Sequence, residues 1–205
     1  MTPSESDNRR FHTPEDFDAS YVGTPPWDIG RPQPLFLALA EAGELRGRVL
    51  DAGCGTGEHA LMSARFGCAA AGIDASPTAI AKAQAKAKER GLTVRFLVWD
   101  ALRLGELDGP FDTVLDSGLF HVFGDDDRRA YVESLKTAVA IGGRYFMACF
   151  SDRQPGVWGP RRVTEGEIRA SFADGWRVDS IHPVRFEILK DQPEAEAWLA
   201  CITRV

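Results

Sequence analysis

Val49-Leu50-Asp51-Ala52-Gly53-Cys54-Gly55-Thr56-Gly57 is a short apolar run with an acid near its tip, followed by three glycines at alternate positions. It reads as a buried strand entering a tight turn, and Glu58 to Phe66 beyond it can be helical. Glycines at 53, 55 and 57 let the backbone approach a ligand where a Cβ would clash. Strand, glycine turn and helix in that order form the entry to a nucleotide-type site in an open α/β sheet. Two details narrow the ligand. The dinucleotide fingerprint G-x-G-x-x-G would need a small third residue where this chain has Glu58. A pyrophosphate also needs donors and positive potential at a helix N-terminus, and the Asp51 carboxylate is a poor neighbour for two phosphates. It suits a ligand that carries positive charge. The plain alternative is a βα turn whose glycines serve packing alone.

Working outward, strands and helices alternate. Pro32 to Ala42 predicts a first helix, closed by Gly43; Val49 to Asp51 is the first strand. Ala69 to Ile73 predicts a second strand ending in Asp74. Ser76-Pro77 then opens a helix that runs to Arg90, with Ser as N-cap and Pro at the first position. Val94 to Trp99 predicts a third strand ending in Asp100, and Phe111 to Leu115 a fourth. A helix starts at Asp125 to Asp127, where carboxylates favour the dipole, and Gly142-Gly143 turns into a fifth strand, Arg144 to Phe150. Thr164-Glu165-Gly166-Glu167 is a capping box. Two further strands, Trp176 to Phe186 and Ala197 to Thr203, follow a short helix. This order predicts an α/β three-layer sandwich: a mostly parallel seven-stranded sheet, covered on both faces, with antiparallel strands at the C-terminal end.

The glycine run and the order of the acids that follow it resemble motif I and its successors in the class I S-adenosylmethionine-dependent methyltransferases. S-adenosylmethionine carries an ammonium and a sulfonium and no phosphate. The resemblance spans about Gly47 to the C-terminus. It divides the chain into an N-terminal arm and lid helix (1–43) and a Rossmann-like methyltransferase domain (44–205). In an open sheet, ligands sit beyond the carboxyl ends of the strands, and Asp51, Asp74 and Asp100 all fall there. Asp74 stands at a spacing from Asp51 that lets an acid hold both ribose hydroxyls. The resemblance implies that Asp51 supports the methionine amine, that Asp100 reads the adenine amine with the Ala101 N–H beside it, and that His59 and the turn at Gly53, Cys54 and Gly55 meet the methionine carboxylate. Ala75 and Trp27 complete the implied cofactor shell.

The family places its acceptor beyond strand four, here Asp116-Ser117-Gly118-Leu119-Phe120-His121-Val122-Phe123. The segment lacks the Asn/Asp-Pro-Pro-Tyr signature of enzymes that methylate exocyclic amines of DNA bases. Asp116 contacts the methionine amine or faces the acceptor. His121 takes a proton from a hydroxyl or thiol, or else it caps or packs the following helix. Trp27 either folds over bound ligand or anchors the arm. Tyr21, Trp27, Phe120, Phe123 and Trp158 are expected to stack on a flat ring, although core packing would explain some of them. The Pro-Pro-Trp-Asp-Ile-Gly arm, Thr164-x-x-Glu167-Ile168 and Ala197-Trp198-Leu199-Ala200 are similar to bacterial small-molecule methyltransferases of the thiopurine S-methyltransferase and heterocyclic-toxin types. They imply a small aromatic acceptor methylated on O, N or S, in a detoxifying reaction.

The bulk numbers bound the alternatives. The chain has 205 residues, 44% of them hydrophobic, enough for one domain with a substantial core. Its 24 basic and 30 acidic residues give a net charge of −6, which argues against nucleic-acid binding. No window reaches the ~18 apolar residues of a membrane span, and no signal peptide opens the chain. Met1 to Asp18 is polar and expected to be mobile. Four scattered cysteines with no C-x-x-C pair point to no metal and to a reduced cytoplasm. A monomer or weak dimer is expected. A thiol metabolite or protein side chain as acceptor, a non-catalytic cofactor-binding regulator and a nicotinamide dehydrogenase are the competing functions.

Overall fold

The computed structural model describes residues 13–189 and 194–205. Strands β1 (Arg48–Ala52), β2 (Ala69–Asp74), β3 (Arg95–Val98), β4 (Phe111–Ser117), β5 (Val139–Phe150), β6 (Trp176–Glu187) and β7 (Glu194–Arg204) form one sheet in the order β3-β2-β1-β4-β5-β7-β6. The first five strands are parallel; β7 runs antiparallel to β5, and β6 antiparallel to β7. The helices are α1 (Pro14–Ser20), α2 (Pro34–Glu41), α3 (Glu58–Arg65), α4 (Pro77–Glu89), α5 (Asp125–Ala138) and α6 (Glu165–Ser171). Among the described residues no helix is long and apolar enough to cross a membrane.

Register decides what each strand offers to each side. Leu50 pairs with Val114, which pairs with Tyr145, and all three face the core under α5 and α6. Asp51 pairs with Leu115, which pairs with Phe146, and these face the side covered by α2, α3 and α4. Side chains alternate along a strand, so neighbours in sequence serve opposite faces.

The structure differs from the expectations in three places. Residues 1–12 of the expected mobile tail lie outside the described residues, but Pro14–Ser20 is helical. Thr13 and Asp16 form a reciprocal capping box that satisfies its first N–H groups. The helix grouped with the N-terminal arm as a lid helix, α2, packs on the body: Phe36 is fully buried in one cluster with Val49, Met62 and Phe146. Burying such a ring contributes about 1.5–3 kcal/mol, which holds α2 in place. Strand β5 begins at Val139, ahead of the Gly142-Gly143 pair, which forms a bulge between the Phe111–Val139 and Thr113–Arg144 pairs. The β3–β4 crossover is a 3-10 turn, Ala101–Glu106. A surface groove of about 270 Å³ is left over the β1–β3 face, floored by Ala69, Ala71, Ile73 and Leu97.

Candidate active site

The glycine turn is built for close approach. Gly55 and Gly57 have φ of +52° and +86°, a region that costs other residues about 1–2 kcal/mol. A Cβ on Gly55 would stand 2.7 Å from Tyr21 Oη, and one on Gly57 2.7–2.9 Å from Phe96 and Ala83. Asp74 fixes the turn to β2: its Oδ2 accepts from Gly55 N–H at 2.8 Å and its Oδ1 from Ser76 N–H at 2.9 Å.

Asp51 is fully buried. Its Oδ2 accepts from Ala60 N–H in the first turn of α3 at 3.1 Å, while Oδ1 has no partner. Burial, reinforced by the nearby Asp74 and Asp116, outweighs that one bond and pushes its pKa up to about 8. An orphaned buried carboxylate oxygen is costly, and a cation would relieve it. His59 stands alongside, its Nδ1 4.0 Å from that oxygen. The Gln33 N–H donates to His59 Nε2 at 3.1 Å, which leaves the ring proton on Nδ1. Burial lowers the His59 pKa to about 4, so the ring is a neutral donor. Gln33 is itself pinned, its side chain exchanging two hydrogen bonds with the Glu187 backbone. An acceptor at Asp51 and a donor at His59 match the ammonium and carboxylate of an amino-acid end. The residues present therefore fit S-adenosylmethionine.

The arm closes over this turn. Trp27 Nε1 donates to Tyr21 Oη at 2.9 Å, and Thr56 Oγ1 bridges both Asp28 oxygens at 3.0 Å. Asp18 Oδ1 accepts from Ser76 Oγ at 2.6 Å and Thr78 N–H at 2.9 Å. Lys82 Nζ donates to Gly23 O, and Lys86 Nζ to Thr56 Oγ1. Thr78, Lys82 and Lys86 recur every four residues, so one face of α4 carries the arm. Between arm and turn, a cleft of about 50 Å³ remains, bordered by Tyr21, Trp27, Gly53, Cys54, Gly55, His59 and Ser117.

Beyond β4 lies a ring cluster. His121 packs edge-on to Phe150 at 5.2 Å, and Phe150 meets Trp158 at 5.8 Å and Phe186 at 5.9 Å. Arg162 lies over the Phe150 and Trp158 rings.

Residues 49–143 match the family described as "Methyltransferase domain". A 2-heptyl-1-hydroxyquinolin-4(1H)-one methyltransferase of Mycobacteroides abscessus is 43% identical over 180 residues, covering 82% of this chain and 79% of that protein. The chain belongs to the class I S-adenosylmethionine-dependent methyltransferases. A structure from work on converting a disulfide bond into a thioacetal group during echinomycin biosynthesis aligns with this methyltransferase at TM-score 0.85 and 40% identity, covering 94% of this chain and 93% of the other. The 1,6-didemethyltoxoflavin-N1-methyltransferase of Burkholderia thailandensis shares the fold at TM-score 0.69 and 21% identity, covering 94% and 87%.

Within the methyltransferase, several expected site residues stand elsewhere. Asp116 is paired with Ala52, so it faces away from Asp51, towards α5. There it accepts from Leu119 N–H, Phe120 N–H, Tyr131 Oη and Tyr145 Oη, and is fully buried. It has no face for cofactor or acceptor and is a structural hub. Phe120 is likewise fully buried, stacked on Phe172 under the Arg128 guanidinium, and Phe123 packs on Tyr131. Neither lines the ring cluster. Asp100 is exposed and caps the 3-10 turn through Leu102 N–H; Ala101 is buried beside it and Ala75 is exposed at the rim. His121 is placed at the cluster, but its Nδ1 accepts from Phe150 N–H at 3.0 Å, an arrangement of a donor ring and not of a base.

Gln33, Asp28, Phe150 and Phe186 were not foreseen in the site. Asp28 lies in the Pro-Pro-Trp-Asp-Ile-Gly arm and Gln33 just after it, and their partners Thr56 and Glu187 are distant in sequence. Phe150 and Phe186 end strands read as core, and their position at the cluster depends on the sheet order.

Proposed function

We propose that this methyltransferase moves the methyl group of S-adenosylmethionine to an O, N or S atom of a small, flat, hydrophobic heterocycle, as a detoxifying reaction in the cytoplasm. The ring cluster of His121, Phe150, Trp158 and Phe186 beside the end of β4 carries this reading. Such walls suit a flat apolar ring, and the relative with 43% identity is named for a hydroxyquinolone. When bound, the cofactor supplies a methyl group already activated by its sulfonium. The chain's own residues bind and orient. Asp51 and His59 hold the amino-acid end, Asp74 the ribose, and Asp100 with Ala101 the adenine. Tyr21 and Trp27 close the arm over cofactor and acceptor. Holding two reactants in line removes an entropic cost worth about 7–11 kcal/mol in the best intramolecular cases, so no metal or redox group enters the scheme. The acidic balance of the chain favours a small-molecule partner over a nucleic acid.

A sulfur acceptor is the second reading, favoured by the 40% identity to the structure from work on disulfide conversion. Methyl-labelled cofactor incubated with hydroxyquinolines, thiopurines, phenols and aryl thiols tests both. Transfer to a ring oxygen or nitrogen supports the first and transfer to thiols alone the second. Binding without transfer to any member leaves a cofactor-binding regulator.

A further inference from the structure

His121 lies in the 3-10 turn Phe120–Val122. A backbone N–H has only a proton to give, so the Phe150 amide fills the Nδ1 lone pair and places the ring proton on Nε2. No described residue bonds Nε2, which lies 3.3 Å from where a Cβ on Gly118 would stand. The open side of the ring is therefore a donor, beside Gly118, which follows the cleft residue Ser117. Burial, then the charges of Arg162 and Arg128, push the His121 pKa down to about 3, so the ring stays neutral.

The surrounding charges are one-sided. Arg128 of α5 is paired with Glu167 of α6 at 3.4 Å. Glu187, at the end of β6, is paired with Arg31 at 2.5 Å. Arg162 has no carboxylate partner among the described residues; it donates to the carbonyls of Gln154, Trp158 and Pro160 and lies 5.4 Å over the Phe150 ring. Asp116 and Cys149 face the opposite side of the sheet. Among the described residues the ring cluster thus offers an N–H donor and a cation without a carboxylate partner, and no unpaired group able to take a proton.

We propose that the acceptor is bound and methylated as its anion, with His121 Nε2–H donating to the anionic group and the Arg162 charge favouring it. The inference rests on the small-heterocycle reading above. It narrows the acceptors to acidic N-hydroxy or oxo heterocycles and aryl thiols, and disfavours simple phenols of pKa ~10. The acceptor loses its proton to water before transfer. A lone pair of the anion then forms the new bond to the methyl carbon, the carbon–sulfur bond breaks, and its electron pair remains on sulfur as the neutral thioether.

The test is the pH profile of kcat/KM for wild-type protein with hydroxyquinolines and aryl thiols whose ring substituents spread their acidity. The midpoint should move with each acceptor's own pKa. His121→Gln, which keeps an N–H donor, should keep those midpoints, while His121→Phe lowers kcat/KM by roughly 10- to 100-fold, the loss expected for one bond to a charged group. A midpoint that is the same for every acceptor and disappears in His121→Gln overturns the proposal and leaves the heterocycle reading standing. Failure to methylate any acceptor while the cofactor still binds overturns the reading itself, and the proposal with it.

Discussion

Asp51 Oδ1 and His59 Nδ1 face each other across 4.0 Å, an acceptor and a donor too far apart to satisfy one another. The gap is what a zwitterion needs. An ammonium on the Asp51 side turns that group into a carboxylate, so cofactor binding at pH 7 should release close to one proton. Affinity should rise about tenfold per pH unit as Asp51 ionises, peak near pH 8, and fall above it as the ligand's α-amino group loses its own charge near ~8. Calorimetry in buffers of different ionisation enthalpy measures the proton count. Asp51→Asn should abolish the release and weaken binding by roughly 10- to 100-fold.

The same residue sets a stability trend. The folded-state pKa of Asp51, about 8, lies above the ordinary 3.8. Its contribution is therefore present in full below the unfolded value and is lost as the pH rises towards 8. Asp51→Asn should raise the Tm of the cofactor-free protein at pH 8, by about 1 kcal/mol or ~2–4 °C in a chain of this size. A lower Tm in the variant would show that the buried carboxyl is not a strained group.

Substituting Asp116 should have the opposite effect on stability. Asp116→Ala leaves two tyrosine hydroxyls and two backbone N–H groups without their acceptor. We expect a loss of about 3 kcal/mol or more, a Tm fall of ~6–12 °C, read by thermal unfolding. Cofactor affinity of the folded fraction should change little, which separates a structural hub from a ligand contact.

Gly55→Ala and Gly57→Ala make a matched pair. Both place a Cβ on positive-φ backbone. At Gly55 the clash is with Tyr21 Oη, the far end of an arm side chain, whereas at Gly57 it is with Phe96 and Ala83 in the core. Gly57→Ala should lower Tm more. Gly55→Ala should mainly displace the arm and weaken cofactor binding, seen as faster amide exchange over residues 14–31.

Asp18 anchors the arm to the first turn of α4. The cleft of about 50 Å³ is far below the ~300 Å³ or more of ordinary ligand pockets, so the arm must shift for the cofactor to enter. Asp18→Ala should speed both cofactor entry and release, with a larger effect on release. Stopped-flow binding followed by Trp27 fluorescence measures both; unchanged rates would mean that the arm opens elsewhere.

Much of the fold was legible because its signals are local. Glycine spacing, the Ser76-Pro77 start and the Thr164–Glu167 capping box each act within a few residues. The Asp51 and Asp74 tips were legible for the same reason, since a strand ending in an acid before a turn is visible in one dimension. The capping box at Thr13 and Asp16 was equally local but sat in a polar stretch read as a tail. Asp116 was misplaced because a one-residue change of parity sends a side chain to the other face, and that parity follows from pairing with Ala52. The role of His121 turned on an amide 29 residues away, at Phe150. No spacing rule reports which ring nitrogen such a contact will occupy.

The 3-10 crossover between β3 and β4 makes this end of the molecule a natural place to graft new sequence. A segment inserted between Leu107 and Pro110 would meet a shallow trough over the β1–β3 face, floored by Ala69, Ala71, Ile73 and Leu97. An added amphipathic helix there would gain a bed of Ala69, Ala71 and Leu97 without disturbing the chemistry. A tag, reporter or tether introduced at that point should leave the enzyme working, and the bare trough gives the scaffold room to lengthen without being rebuilt.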